Sequence, residues 1–492
     1  MDWILIWEIV YTLLLVFSCL KAIYDTGSNT KALAYVLAII FVPFAGMVFY
    51  FVFGTNYRKK KIYSRKFLAD ESQSKRLEAS IKKRSLDLIA KGDSVVKAHK
   101  GIANLLLREN ISPLTGNNAV ELLINGENKF PRVLEAIREA KHHIHMEYYI
   151  YEDDQIGKEI EALLIQKAQQ GVEVRLIYDD FGSRSIRKKL VPRLRAAGVE
   201  AFPFYEIKFL ALANRLNYRN HRKIIVIDGI IGFIGGINVS DGYINPLKKG
   251  HKQRPKKMQK LFWRDTHVRI EGAGVHYLQH LFLCDWNFCA EQMLSASLDY
   301  FPHSAGSVPG GKYVQIAASG PDSDNPTIMF SLLQAIHQAM EEVLITTPYF
   351  IPEQAVISAL SIAALSGVKV KLLVPGKSDS KIVNAAARSY YGELLDAGVD
   401  IDLYQKGFVH AKTLVADRSL SIVGSANMDY RIFDLNFEAN AIIYDEDFGH
   451  QLATVFYKDL EGAIKLDAFE WERRFWLQKL LEKTVRLIAP LL

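Results

Sequence analysis

One spacing of residues occurs twice in this 492-residue chain, and any fold it adopts has to accommodate both copies. The first places Lys223 two positions after His221, Asp228 seven after it, Gly235 fourteen and Asn238 seventeen. The second repeats those offsets with His410, Lys412, Asp417, Gly424 and Asn427. With Lys and Asp each near 6% of residues, a given His has both partners by chance about once in 300. One match among thirteen histidines would mean little; two, with Gly and Asn in step, point to a duplicated functional unit.

The residues between the motif positions set its local shape. Ile224 to Ile227 and Thr413 to Val415 are apolar and largely β-branched, so each reads as a buried strand with His and Lys on the same side at its start. A turn at Asp228-Gly229 or Asp417-Arg418 leads into a second apolar strand, Ile230 to Ile234 or Leu420 to Val423. These end in Gly-Gly-Ile-Asn and Gly-Ser-Ala-Asn. Histidine can attack or carry a proton, lysine supplies a fixed cation, and asparagine donates hydrogen bonds. Two such sets brought face to face would clasp a phosphate diester, with no metal required.

A longer repeat surrounds the short one. Ala136 to Ala140 opens a unit with a strand at 144–150, a helix ending near Gly171 and a strand at 172–178; Ala335 to Ala339 opens the same succession at 343–349, Gly367 and 368–374. Ala197-Gly198-Val199 and Ala397-Gly398-Val399 then precede the two motifs. Alternating strands and helices predict two α/β units sharing a sheet core, with a pseudo-twofold cleft.

The N-terminus has a different character. Residues 3–20 are almost wholly apolar apart from Glu8, and residues 32–53 carry no charge. The second stretch as a helix would extend about 33 Å, enough to cross a bilayer. A two-helix transmembrane hairpin over 1–56 follows, since Asp2 is no basic leader for a cleaved signal. Arg58, Lys59, Lys60, Lys61, Arg65 and Lys66 follow the second span, against Lys21 and Lys31 between the spans. Positive residues stay inside, so the body of the chain is expected to be cytoplasmic. Cys19, Cys284 and Cys289 form no CxxC pair, which supports neither a disulfide framework nor a zinc site. Residues 57–115 are charged and helical in pattern and read as a connector. The repeats then occupy 116–305 and 306–492, the latter with a C-terminal helix.

The paired motifs resemble the HxKxxxxD signatures of the phospholipase D superfamily. The flanks Arg219-Asn220-His221-Arg222-Lys223 and Gly424-Ser425-Ala426-Asn427-Met428-Asp429 are similar to bacterial cardiolipin synthases in particular. One departure is Ile432, where that resemblance leads one to expect serine before Phe433. The resemblance implies an enzyme of the cell membrane that transfers a phosphatidyl group from one phosphatidylglycerol to another, releases glycerol, and works through a phosphohistidine without a cofactor. His221, Lys223, Asp228, His410, Lys412 and Asp417 form its catalytic signature, with His221 as nucleophile and His410 as acid and base. Lys223, Lys412, Asn238 and Asn427 would hold phosphate oxygens. Asp265 is implied to orient His221 and Glu438 to orient His410, while Asp228 and Asp417 orient loops and lysines rather than touch substrate. A phospholipase D that uses water, or a transferase to another alcohol, would need the same residues. An inactive scaffold is opposed by the intact motifs, and a nuclease by the membrane segments.

Three stretches keep two readings each. The excess of eleven residues before His221, with Phe209, Leu210, Leu212 and Leu216, fits a lipid contact or a helix packed on the core. Lys248 to Lys260, with seven cations and no acid, fits anionic lipid or a solvated loop, and lacks the aromatics that nucleic acid would call for. Trp471, Arg473, Arg474, Phe475 and Trp476 fit a membrane interface or a helix capping the core.

Overall fold

The first motif opens on the strand Lys223–Ile227 and turns into the antiparallel strand Ile231–Gly235; the second does the same with Thr413–Ala416 and Leu420–Gly424. The computed structural model describes residues 3–26, 29–51, 71–109, 111–206, 219–245, 262–292, 294, 297, 299–302, 311–323, 325–429 and 436–487. The basic flank at 58–66, the insertions at 207–218 and 248–260, and Ile432 with Phe433 lie outside the described residues. Both turns need left-handed backbone, with φ 52° at Asp228 and 66° at Gly229, and 49° at Asp417 and 51° at Arg418.

Each motif aspartate sits at its turn and grips the strand beside it. The Asp228 carboxylate accepts from the backbone N–H groups of Lys141, His142 and His143 at 2.8–2.9 Å. Asp417 accepts from Met340, Glu341 and Glu342 at the same distances. Both lie at the end of the strand away from the motif lysine, about 16 Å off at roughly 3.3 Å per residue. Of the loop-and-lysine role expected for them, only the loop part is met.

The strands line up in one long order. From one edge it runs Ala463–Lys465, Asp400–Tyr404, Lys369–Pro375, Glu342–Thr346, Thr413–Ala416, Leu420–Gly424, Asn436–Tyr444, Lys312–Ser319. It continues Thr115–Ile124, Thr266–Glu271, Ile231–Gly235, Lys223–Ile227, His143–Tyr148, Glu173–Tyr178, Glu200–Pro203. The antiparallel pair Thr115–Ile124 and Lys312–Ser319 joins the two repeats, and the outer strands are parallel with helical crossovers except for the antiparallel edge strand Ala463–Lys465. The crossovers are Gln155–Gln169 and Gln354–Leu365; Gly171 at φ 88° and Gly367 at φ 95° end them in the left-handed region that glycine enters most easily.

Helices cover both faces. Asn125–Glu139 buries Phe130, Val133, Ala136 and Ile137, and Thr327–Gln338 buries Ile328, Leu332, Ala335 and Ile336. Val275–Ala290 and Glu446–Leu460 cover Ile224, Val226, Val415 and Val423 from the other side. Each such large side chain contributes about 1.5–3 kcal/mol relative to exposure. The stretch read as a connector is helical at Glu71–Lys91, Ser94–Ala98 and Lys100–Glu109. From Ile89 onward it contributes to the core beneath the second repeat, and Gln315 Nε2 donates to the Ala103 and Ser112 carbonyls at 3.2 and 3.0 Å.

Of the expected pair of spans, the first is one long helix and the second is broken into two. Trp3–Asp25, 23 residues, is long and apolar enough to cross a membrane. The second stretch is two short helices, Asn29–Phe41 and Pro43–Phe49. Proline lacks an N–H and crowds the residue before it, so Val42 leaves helical backbone (φ −133°, ψ 67°) and the helix breaks there. Tyr50 O–H closes the segment by donating to Asp25 Oδ2 at 3.1 Å.

Replacing Asp228 or Asp417 by alanine removes three charge-assisted bonds to a strand end. Each variant is expected to lose about 2 kcal/mol of stability in thermal or denaturant melts while keeping turnover per folded molecule. Loss of turnover with unchanged melting would make these carboxylates chemical rather than architectural.

Candidate active site

Both motif histidines stand where a strand of one repeat meets a strand of the other. Arg219–Asn220 runs parallel to the start of Asn436–Tyr444, and the His221 N–H donates to the Phe437 carbonyl at 3.0 Å. Gly407–Val409 runs parallel to Phe262–Arg264, and the His410 N–H donates to the Arg264 carbonyl at 2.7 Å. These pairings deliver the next acidic residue of each partner strand to the imidazole. Glu438 Oε1 lies 3.0 Å from His221 Nδ1, and Asp265 Oδ2 lies 2.7 Å from His410 Nδ1.

The expected partners are therefore exchanged. Asp265 serves His410 and Glu438 serves His221, because the short parallel pairings cross between repeats. A carboxylate can only accept, so Nδ1 of each ring carries the hydrogen and Nε2 keeps its lone pair. Both carboxylates are fully buried. Asp265 also accepts from the Thr266 N–H at 2.7 Å and is packed by Gly236, where an added Cβ would run into its oxygens.

The lysines bend back over their histidines. Lys223 Nζ donates to the His221 carbonyl at 2.6 Å, and Lys412 Nζ donates to the His410 carbonyl. Burial lowers the pKa of Lys223, partly opposed by Glu438 and Asp265. Burial brings Lys412 down to about 7, with Asp265 opposing and Lys223 adding to the fall. His410 falls to about 4 through burial and the Lys412 charge, against the pull of Asp265. Burial alone would raise Asp265, but Lys412 and His410 hold it below the usual carboxylate range. Lysines of both repeats thus act on the same groups, so the two motifs form one electrostatic site. Its cations are short of negative charge, which an anionic diester would supply.

The asparagines are less open than the sequence suggested. Asn238 is 2% exposed, with Nδ2 donating to Tyr243 O–H at 2.5 Å and Oδ1 accepting from the Ile150 N–H at 3.2 Å. Asn427 Nδ2 donates to Asp429 Oδ2 at 3.3 Å, and its buried Oδ1 has no partner among the described residues. Each amide nitrogen has one such bond among the described residues.

Several neighbours were not foreseen. Asn436 Nδ2 lies 3.2 Å from His221 Nδ1, and the Tyr149 ring packs 4.1 Å from the His221 ring. Around His410 stand Trp263, Phe408 and Tyr243, with ring centroids 5.3, 5.9 and 6.0 Å away. Lys129 is fully buried, with Nζ donating to Tyr148 O–H at 2.9 Å and to the Ile237 carbonyl at 2.7 Å, one residue before Asn238. Its pKa is pushed well below the usual lysine range by burial. The signal was present: Lys129 is in helical register with the apolar Val133 and Ile137, where a lysine needs a reason. Behind His221, Arg222 pairs with Asp285 and Asn220 donates to Glu147, all buried. The second repeat has Ala411 and Val409 at those two positions.

Residues 133–246 and 332–460 match the family described as cardiolipin synthase, PLD-like domain, and residues 10–54 match a phospholipase D-nuclease N-terminal family. The cardiolipin synthase of Halalkalibacterium halodurans is 38% identical over 490 residues, covering 99% of this chain and 93% of that protein. The major cardiolipin synthase ClsA of Bacillus subtilis is 39% identical over 468 residues, 93% of each. Among solved structures, the phosphatidylserine synthase of Haemophilus influenzae shares the fold, with a TM-score of 0.55 at 16% identity over 80% of this chain and all of that one.

Proposed function

From the premise that this chain belongs to the cardiolipin synthase family, with its paired phospholipase D-like domains, we propose how its residues carry out phosphatidyl transfer. The chain is a phosphatidyltransferase that makes cardiolipin from two phosphatidylglycerols and releases glycerol. The observation that carries the reading is that each imidazole has its Nδ1–H on a buried carboxylate of the other repeat, which leaves Nε2 for phosphorus chemistry.

In the first half-reaction His221 Nε2 attacks phosphorus, an N–P bond forms, the bond to the glycerol oxygen breaks, and His410 gives that oxygen a proton. In the second, His410 takes the proton from the hydroxyl of another phosphatidylglycerol, whose oxygen displaces His221. Burial and Lys412 disfavour the charged form of His410 in the empty site; the charge of the bound diester offsets the lysines, so that His410 takes up from solvent the proton it gives in the first half-reaction and, once neutral, serves as the base in the second. Lys223, Lys412 and the remaining N–H groups of Asn238 and Asn427 hold the equatorial oxygens, where charge develops. Asp228 and Asp417 keep the motif strands in place. Apart from the extra edge strand Ala463–Lys465, the strand order reads alike from either side of its central pair, which supports a pseudo-twofold cleft between the repeats.

The apolar N-terminal segment supports association with the membrane where the substrate lies. We assign both N-terminal apolar stretches to a hairpin in the bacterial cell membrane with the body cytoplasmic, on the strength of the basic residues at 58–66. A reporter fused after Leu492 is then expected inside and one inserted near Ser28 outside; the opposite pattern would overturn the orientation.

The reaction itself is tested with labelled phosphatidylglycerol as sole lipid and the purified full chain. Label is expected in cardiolipin with glycerol released, and label mainly in phosphatidic acid would make the chain a hydrolase. With a donor whose leaving group needs no proton, His410→Asn should still trap labelled protein while His221→Asn should not. Label on the His221 variant alone would exchange the two roles.

A further inference from the structure

The helix Trp476–Leu487 turns its polar side inward. The side chain it buries is Glu482, 3% exposed, which accepts from Arg388 Nε at 2.9 Å and from Arg474 Nη1 at 3.0 Å. Apart from Val485, which packs against the core, its large apolar side chains face outward instead. Trp476, Leu477, Leu480, Leu481 and Leu487 are 47–80% exposed, and Phe475 just before them is 63% exposed. At about 100° per residue, those five occupy an arc of roughly 140°, interrupted only by Thr484.

The helix is seated firmly enough to present that arc. Trp471 is buried, with the guanidinium of Arg474 3.4 Å and that of Arg388 4.5 Å from its ring. The C-terminal aromatic and basic group therefore divides: Trp471 and Arg474 cap the core, whereas Phe475 and Trp476 point away from it. Lys483, Lys479 and Arg486 line one border of the arc. Lys479 is shared with Glu472 at 2.6 Å and Arg486 with Glu393 at 3.7 Å, partly exposed and therefore weak pairs that lipid phosphates can displace.

An apolar arc with tryptophan and phenylalanine at one end and cations along one border is the pattern of a helix lying in the plane of a lipid interface. Anionic headgroups complement the lysines and arginine, and the sequence continues as Ile488-Ala489-Pro490-Leu491-Leu492, without charge. We propose that Trp476–Leu487 lies in the surface of an anionic bilayer, with Trp476, Leu480 and Leu481 among the upper acyl carbons and Lys483 at phosphate level. This second membrane contact belongs to the catalytic body itself and does not depend on the reaction chemistry.

The test places an environment-sensitive fluorescent amino acid at Leu480 or at Gln478 in the full chain. Each protein is reconstituted into phosphatidylcholine vesicles with and without phosphatidylglycerol. With anionic lipid, the probe at 480 is expected to be quenched at least about threefold more by a doxyl-labelled lipid than by aqueous iodide, and the probe at 478 the reverse. A probe at 480 open to iodide, or one that self-quenches between copies without lipid quenching, overturns the proposal; the latter would mean that a second chain covers the face. Leu480→Glu with Leu481→Glu provides a second arm, in which turnover of a short-chain, water-soluble phosphatidylglycerol checks the fold. Turnover of vesicle-held substrate should drop about tenfold while the soluble substrate is unaffected, and equal turnover of both would also overturn the proposal.

Discussion

Two hydrogen bonds between the repeats, His221 to Glu438 and His410 to Asp265, are what the rest of the site depends on. They follow from two short parallel pairings that carry each acidic residue across to the other repeat's histidine. Neither repeat holds a complete set of groups by itself. Glu438 and Asp265 are fully buried, and a buried carboxylate deprived of its partner costs on the order of 3–5 kcal/mol. The arrangement that orients the imidazoles therefore also penalises separation of the repeats.

The duplicated motif does not make a symmetric site. His221 is backed by Arg222 with Asp285 and by Asn220 with Glu147, whose pKa is raised well above the carboxylate range by burial and by the neighbouring Asp285. His410 is backed by Ala411 and Val409 and ringed by Trp263, Phe408 and Tyr243. One imidazole sits on a polar network and the other in an aromatic surround. Two displacement steps ask different things of two histidines, and this difference gives each a distinct setting.

The sequence was most legible where one local rule decided the outcome. Continuous apolar, largely β-branched runs marked Lys223–Ile227 and Leu420–Gly424, and Gly171 and Gly367 marked the ends of the crossover helices. Pro43 carried the rule that breaks the second apolar stretch, yet a count of apolar residues outweighed it. The partners of the two acids were not legible, because 217 residues separate His221 from Glu438 and only the strand pairing decides which imidazole each carboxylate meets. Lys129 was visible as a polar residue on an apolar helix face, but its place beside Asn238 required the fold. The outward apolar arc of Trp476–Leu487 was legible as an amphipathic helix, whereas the inward direction of Glu482 was not.

Nitrogen-15 NMR of the histidine rings in the full chain tests the crossing most directly. His410 is expected to titrate near 4 instead of its ordinary 6.5, with its hydrogen on Nδ1. Asp265→Asn should shift that ring and leave His221 in place, and Glu438→Gln should shift His221 and leave His410. A spectrum in which Asp265→Asn perturbs His221 while His410 keeps its signal would contradict the account.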